Sequence, residues 1–146
     1  MSTLRAVALA AALTLVGAAH AQLLVEVALA PAIASQLFPP MSFPASSLRA
    51  AGGNTGALVA RVPDAADWTD WEVYTATGLA ASLEPGLVHQ VQLDMAMAGF
   101  FAESTTATEL GPERHTRIVF TDGAQRALLY VIRSGRELAW LVARGR

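Results

Sequence analysis

Apolar and polar residues alternate in three consecutive runs near the end of the chain, at 114–121, 126–133 and 137–144. A period of two marks a strand whose two faces meet different surroundings. Between the runs stand Asp122-Gly123 and Ser134-Gly135, which supply the positive φ that two-residue hairpin turns need. A turn at Ser134-Gly135 pairs Arg133 with Arg136, Val131 with Leu138 and Leu129 with Trp140. One face then carries Ala127, Leu129, Val131, Leu138, Trp140 and Val142. The same parity carried across Asp122-Gly123 adds Ile118 and Phe120. This is the expected core face.

The opposite face holds His115, Arg117, Val119, Arg126, Leu128, Tyr130, Ile132, Glu137, Ala139 and Leu141. A solvated face of an antiparallel sheet is polar. The large apolar groups here require cover, by the N-terminal half of the chain, by a second copy or by another partner.

Upstream, the spacing predicts a helix over 84–102. Leu87, Val91, Met95, Ala98 and Ala102 recur at steps of four and three, with His89, Gln90, Gln92 and Asp94 opposite. From Met95 onward the pattern is apolar all round, which predicts burial on several sides, with Gly99 permitting close approach to a strand. This helix is expected to lie across the core face. The Thr-rich run 101–110 reads as a fourth strand, and its few large apolar groups fit an edge. Residues 56–62 suggest a further strand. In 64–77, Trp68, Trp71 and Tyr74 recur every three residues, as on a helical turn capped by Asp64 or Asp67, but 71–77 reads equally as a strand. The expected fold class is α+β: an antiparallel meander of about four strands against one long helix, with a short N-terminal strand or arm.

The N-terminus has a different pattern. Arg5, an apolar run over 6–17 and Ala19-His20-Ala21 follow the order of a secretory signal. The apolar run is shorter than the roughly 20 residues of a membrane span. The expectation is therefore a leader at 1–21 removed on export, an arm or linker rich in Pro, Ala, Ser and Gly at 22–56, and one domain at 57–146. The product would be periplasmic or extracellular, with no stable membrane span. Cysteine is absent and 53% of residues are hydrophobic, so an exported form must hold together by its core alone.

Charge changes the picture only in its distribution. Residues 22–110 carry nine acids against Arg49 and Arg61, a net of −7, and residues 111–146 carry seven arginines against three acids, a net of +4. Such asymmetry steers an anionic partner or lets the two halves neutralise one another. The overall balance of −2 lacks the basic footprint of a nucleic-acid binder.

Candidate chemistry is sparse. No Walker loop, Rossmann fingerprint or Gly-x-Ser-x-Gly elbow occurs, and His89 and His115 without cysteine do not make a zinc set. No cofactor and no metal is expected. No catalytic set is assigned; the residues nearest to one are His115, Arg117, Tyr130 and Glu137, for a small hydrolytic or isomerising enzyme. Asp64, Asp67, Asp70 and Glu72 offer oxygen ligands to calcium, without EF-hand spacing, and the nearby tryptophans a stacking surface for sugar. The leading expectation is an exported, non-catalytic binding module of the bacterial cell envelope. Its partner would be a protein or a second copy, bound on the second sheet face at Arg117, Leu128, Tyr130, Ile132 and Leu141.

Overall fold

The computed structural model describes residues 32–44, 48–49, 53–78 and 84–146. The expected leader at 1–21 and residues 22–31 of the expected arm lie outside the described residues. A compact unit runs from Ala32 to Arg146. Its order is β1 (Ala32–Ala34), β2 (Ser42–Pro44), β3 (Leu48–Arg49), α1 (Gly53–Val59), a 3₁₀ turn (Ala65–Asp67), β4 (Trp68–Thr77), α2 (Glu84–Met97), β5 (Phe101–Leu110), β6 (Glu113–Thr121), β7 (Arg126–Ser134) and β8 (Glu137–Gly145). The chain is thus mostly antiparallel sheet with helix added, an α+β architecture.

The main sheet has six strands in the order β3-β4-β8-β7-β6-β5, and β1 pairs with β2 in a separate hairpin. The meander is wider than the sequence predicts because β4 joins β8 on its far side, from Trp68↔Gly145 to Thr77↔Glu137. In the 64–77 segment the strand reading holds, and the strand begins earlier than expected. Trp68, Trp71 and Tyr74 all lie in β4, and the 3₁₀ turn is confined to Ala65–Asp67 with no side-chain cap from Asp64.

Both meander hairpins sit two residues away from the expected register. At the last turn Ser134 pairs with Glu137 and Val131 with Trp140. Gly135, with φ 58, is therefore the first central residue, where a primed turn takes positive φ. At the other, Thr121 pairs with Arg126 across a four-residue loop. Asp122 Oδ1 accepts there from the N–H groups of Ala124 and Gln125 at 2.8 and 2.7 Å. A shift of two preserves parity, so the side chains keep their faces.

The first face accordingly gathers Ile118, Phe120, Ala127, Leu129, Val131, Leu138, Trp140 and Val142 in one cluster with Val88, Val91 and Met95 of α2. The helix is shorter than its pattern. Phe100 N–H bonds to Met95 O at 2.9 Å and Gly99 N–H to Ala96 O at 3.0 Å, with Gly99 at φ 89. These are the two bonds of a Schellman stop. Gly99 therefore ends the helix and makes no close approach, and Met97 beyond the buried stripe is 88% exposed.

Phe38, Met41 and Phe43 complete this core. They come from the stretch that reads in sequence as an irregular arm. Phe43 stacks on Trp140 with ring centroids 5.0 Å apart. The hairpin is also held by a buried carboxylate: Glu72 accepts the Ser35 hydroxyl at 2.5 Å and the Gln36 N–H at 3.0 Å. Ser35 Oγ accepts in turn from Phe38 N–H at 3.0 Å.

Ser35→Ala should remove the short hydroxyl bond to Glu72 Oε2, which keeps the Tyr74 hydroxyl at 3.3 Å, and the acceptor for Phe38 N–H. We expect a loss of about 1–3 kcal/mol, read as a lower urea midpoint at unchanged m-value. A midpoint equal to wild type would remove this contact from the account of how the hairpin is held.

Candidate functional site

The second sheet face is covered by the chain itself. Val73, Val119, Leu128, Tyr130, Ile132, Ala139, Leu141 and Ala143 form a second cluster with Val62 and Trp68, and Leu58, Val59, Ala65 and Trp71 pack against it. Four of the five residues expected to meet a partner are therefore inside: Leu128 and Leu141 at 0% exposure, Tyr130 at 3% and Ile132 at 4%. The cover comes from α1, the 3₁₀ turn and the start of β4. Their apolar side chains are too few and too scattered in the sequence to announce a layer.

Under this cover lies a polar relay. His115 and Tyr130 project from neighbouring strands to the same face, and His115 Nδ1 is 2.8 Å from the Tyr130 hydroxyl. On its other side His115 Nε2 is 3.1 Å from Glu113 Oε2, and Glu113 also pairs with Arg61. A neutral imidazole satisfies the whole chain: Nε2–H donates to Glu113 and Nδ1 accepts from the tyrosine O–H. The hydrogen bond from His115, with that of Arg61 and its charge, holds the Glu113 carboxyl below its ordinary value against the effect of burial. Burial pushes the Tyr130 hydroxyl up. Such a relay can hold a proton, and in this arrangement His115 is covered, at 5% exposure. The expected carboxylate is also a different one. Glu137 stands exposed opposite Ser134, which itself pairs with Glu113 one strand further on.

Arg117 is brought to the same face and is engaged. Its guanidinium bonds to both oxygens of Asp64, while Trp68 Nε1–H donates to Asp64 Oδ2 at 3.0 Å. Burial pushes the Asp64 carboxyl up, but the bonds from Arg117 and Trp68 and the arginine charge outweigh it and leave the group below its ordinary value. The Asp-rich segment is thereby divided. Asp64 serves Arg117, Asp70 pairs with Arg144 at 3.2 Å and Glu72 faces the hairpin. Among the described residues no group of three or more His, Cys, Asp or Glu is placed to hold a metal ion. Trp68 is buried at 2% and offers no ring to a sugar. Part of the charge asymmetry is spent within the chain, since Arg117–Asp64, Arg126–Glu103 and Arg144–Asp70 all join the two halves.

The opposite condition holds on β5. All ten of its residues are exposed, and its outer edge ends the sheet. The Gly111-Pro112 turn closes on the pair Leu110↔Glu113. A two-residue turn bonds the second residue's N–H to the first one's carbonyl, and bonded and non-bonded pairs alternate from there. The backbone groups of Ser104, Thr106, Thr108 and Leu110 therefore face β6, and those of Thr105, Ala107 and Glu109 face the open edge. Phe101 and Leu110 at the two ends of β5 are 65% and 54% exposed. The sequence signals an edge here through its threonines. That neither cover reaches the strand depends on where α1 and α2 end.

Compared with known proteins, the chain matches no family model, no curated protein and no solved structure.

Because both carboxyls are depressed in the fold, their stabilisation is complete above their ordinary values of 3.8 for Asp64 and 4.5 for Glu113. It is lost as pH falls through those values towards the lower folded ones. Stability measured from about pH 6 down to pH 3 should fall less steeply in Asp64→Asn and in Glu113→Gln than in wild type. Equal slopes would show that the pairs do not contribute.

Proposed function

We propose that this chain is an exported, non-catalytic binding module of the bacterial cell envelope that engages a protein partner by strand addition to β5. The single observation that carries the reading is the exposure of all ten β5 residues. A strand that adds no side chain to either core is held by its ladder to β6 and by the Glu103–Arg126 pair, and what it presents outward is a row of N–H and C=O groups that the sheet does not use. An extended segment of another protein satisfies such a row, with side chains on both faces setting preference. Export rests on the leader-like order of residues 1–21, and the lack of cysteine suits a fold that needs no disulfide outside the cytoplasm.

The Tyr130–His115–Glu113 relay favours a second reading, a small hydrolytic or isomerising enzyme. It requires the cover over His115 to open, whereas the β5 edge is accessible as it stands.

Thr105→Pro tests the first reading, since it removes an outward N–H while sparing the ladder to β6. In cells, crosslinking of the protein to an envelope partner should be lost in this variant with melting temperature little changed. Undiminished crosslinking would remove β5 from the proposal. Protein recovered from the expressing bacterium should begin at Gln22 outside the cytoplasm; an intact Met1 form retained inside would overturn export.

A further inference from the structure

We propose that the partner taken by β5 is a second copy of this chain, joined antiparallel about a two-fold axis at Ala107; this rests on the reading of β5 as the contact edge. The register follows from the strand itself. A bulge between Ala102 and Ser104 breaks the regular ladder at one end, and the Gly111-Pro112 turn closes it at the other. The regular stretch is 104–110, and Ala107 is its middle residue.

An axis at Ala107 sets it against its own copy, Thr105 against Glu109, Thr106 against Thr108, and Ser104 against Leu110. The outward-facing residues Thr105, Ala107 and Glu109 then meet one another, and about six backbone hydrogen bonds form across the axis. The smallest side chain of the stretch lies where two identical ones must stand face to face. No carboxylate opposes another. An axis one residue earlier, at Thr106, would set Glu103 against Glu109, a like-charge pair that destabilises, and would run the pairing into the bulge.

The usual guards of an edge strand are missing where the second copy would lie. Residues 104–108 contain no charge and no proline. The two glutamates flanking them are partnered within the chain: Glu103 with Arg126 at 3.1 Å and, more loosely, Glu109 with Arg114 at 3.9 Å. The edge is thus close to electrically neutral towards its own copy. Leu110, half-exposed in one copy, gains the neighbourhood of Ser104 and Thr106 of the other.

The chain's lack of cysteine makes the test clean. Protein recovered from the expressing cell is followed by light scattering across a concentration series, with wild type, Ala107→Lys, Ala107→Cys and Thr106→Cys. Wild type is expected to rise from one chain mass to two. Ala107→Lys, which sets like charges together on the axis, should stay at one chain mass over the same range, with the melting temperature that wild type shows when dilute enough to be monomeric. Under oxidising conditions Ala107→Cys should form a covalent dimer, because directly opposed bonded residues have Cα atoms about 5.5 Å apart, within disulfide reach. Thr106→Cys faces Thr108 of the second copy and should form no crosslink under the same conditions. Wild type of one chain mass at every concentration would overturn the proposal. So would a dimer that Ala107→Lys leaves intact, or a crosslink at 106 that equals the one at 107. A monomeric wild type whose cellular crosslink is still lost in Thr105→Pro would refute self-pairing while leaving strand addition to another protein in place.

Discussion

Two adjacent strands, β7 and β8, are buried on both faces, and the rest of the molecule is arranged to satisfy that condition. Between Ala127 and Ile132, and between Leu138 and Ala143, every residue is buried. No single layer can cover both sides of a sheet. The chain supplies two: α2 with the β1–β2 hairpin on one face, and α1, the 3₁₀ turn and the two tryptophans at the start of β4 on the other. Each cover is small, so each is fastened by polar groups as well as by apolar contact. Glu72 holds the hairpin through Ser35 and Gln36, and Asp64 and Arg61 hold the second layer to Arg117 and Glu113.

That arrangement explains why the residues with the most chemical character do not form an open site. His115, Tyr130 and Glu113 are aligned well enough for proton transfer, yet their alignment comes from closing the second face. Arg117 lies between Asp64 and the Trp68 ring, whose centroid is 6.0 Å from its guanidinium carbon. A charge held this way aids the seating of the layer more than it attracts a ligand, because its field is spent on a carboxylate already beside it.

Covers sized to the middle strands leave the sheet uneven. On one side the edge is β3, two residues long. On the other it is β5, ten residues long and exposed throughout. Its bulge near Ala102 and its glutamates moderate the edge without removing it. Association through β5 would therefore cost the fold nothing internal, since no core side chain has to move.

Much of this was legible in the sequence. The alternation in 114–144 determines which residues of β6, β7 and β8 share a face, because parity survives a two-residue error in register. The Thr-rich run announces an edge strand, and the spacing of Val91 and Met95 orients α2. The turn details were not legible: Gly135 fits the first central position as well as the second, and Asp122 accepts two N–H groups only in a longer loop. Nor was the helix stop at Gly99, where an apolar run continues past the last helical turn. Beyond this, only the tertiary structure decided what covers the second face. The pattern of β7 and β8 requires a cover but carries no information about its source, whereas Leu58, Val62, Trp68 and Trp71 become one surface only when β4 pairs with β8. The exposure of β5 was decided in the same way, by how far two short covers reach.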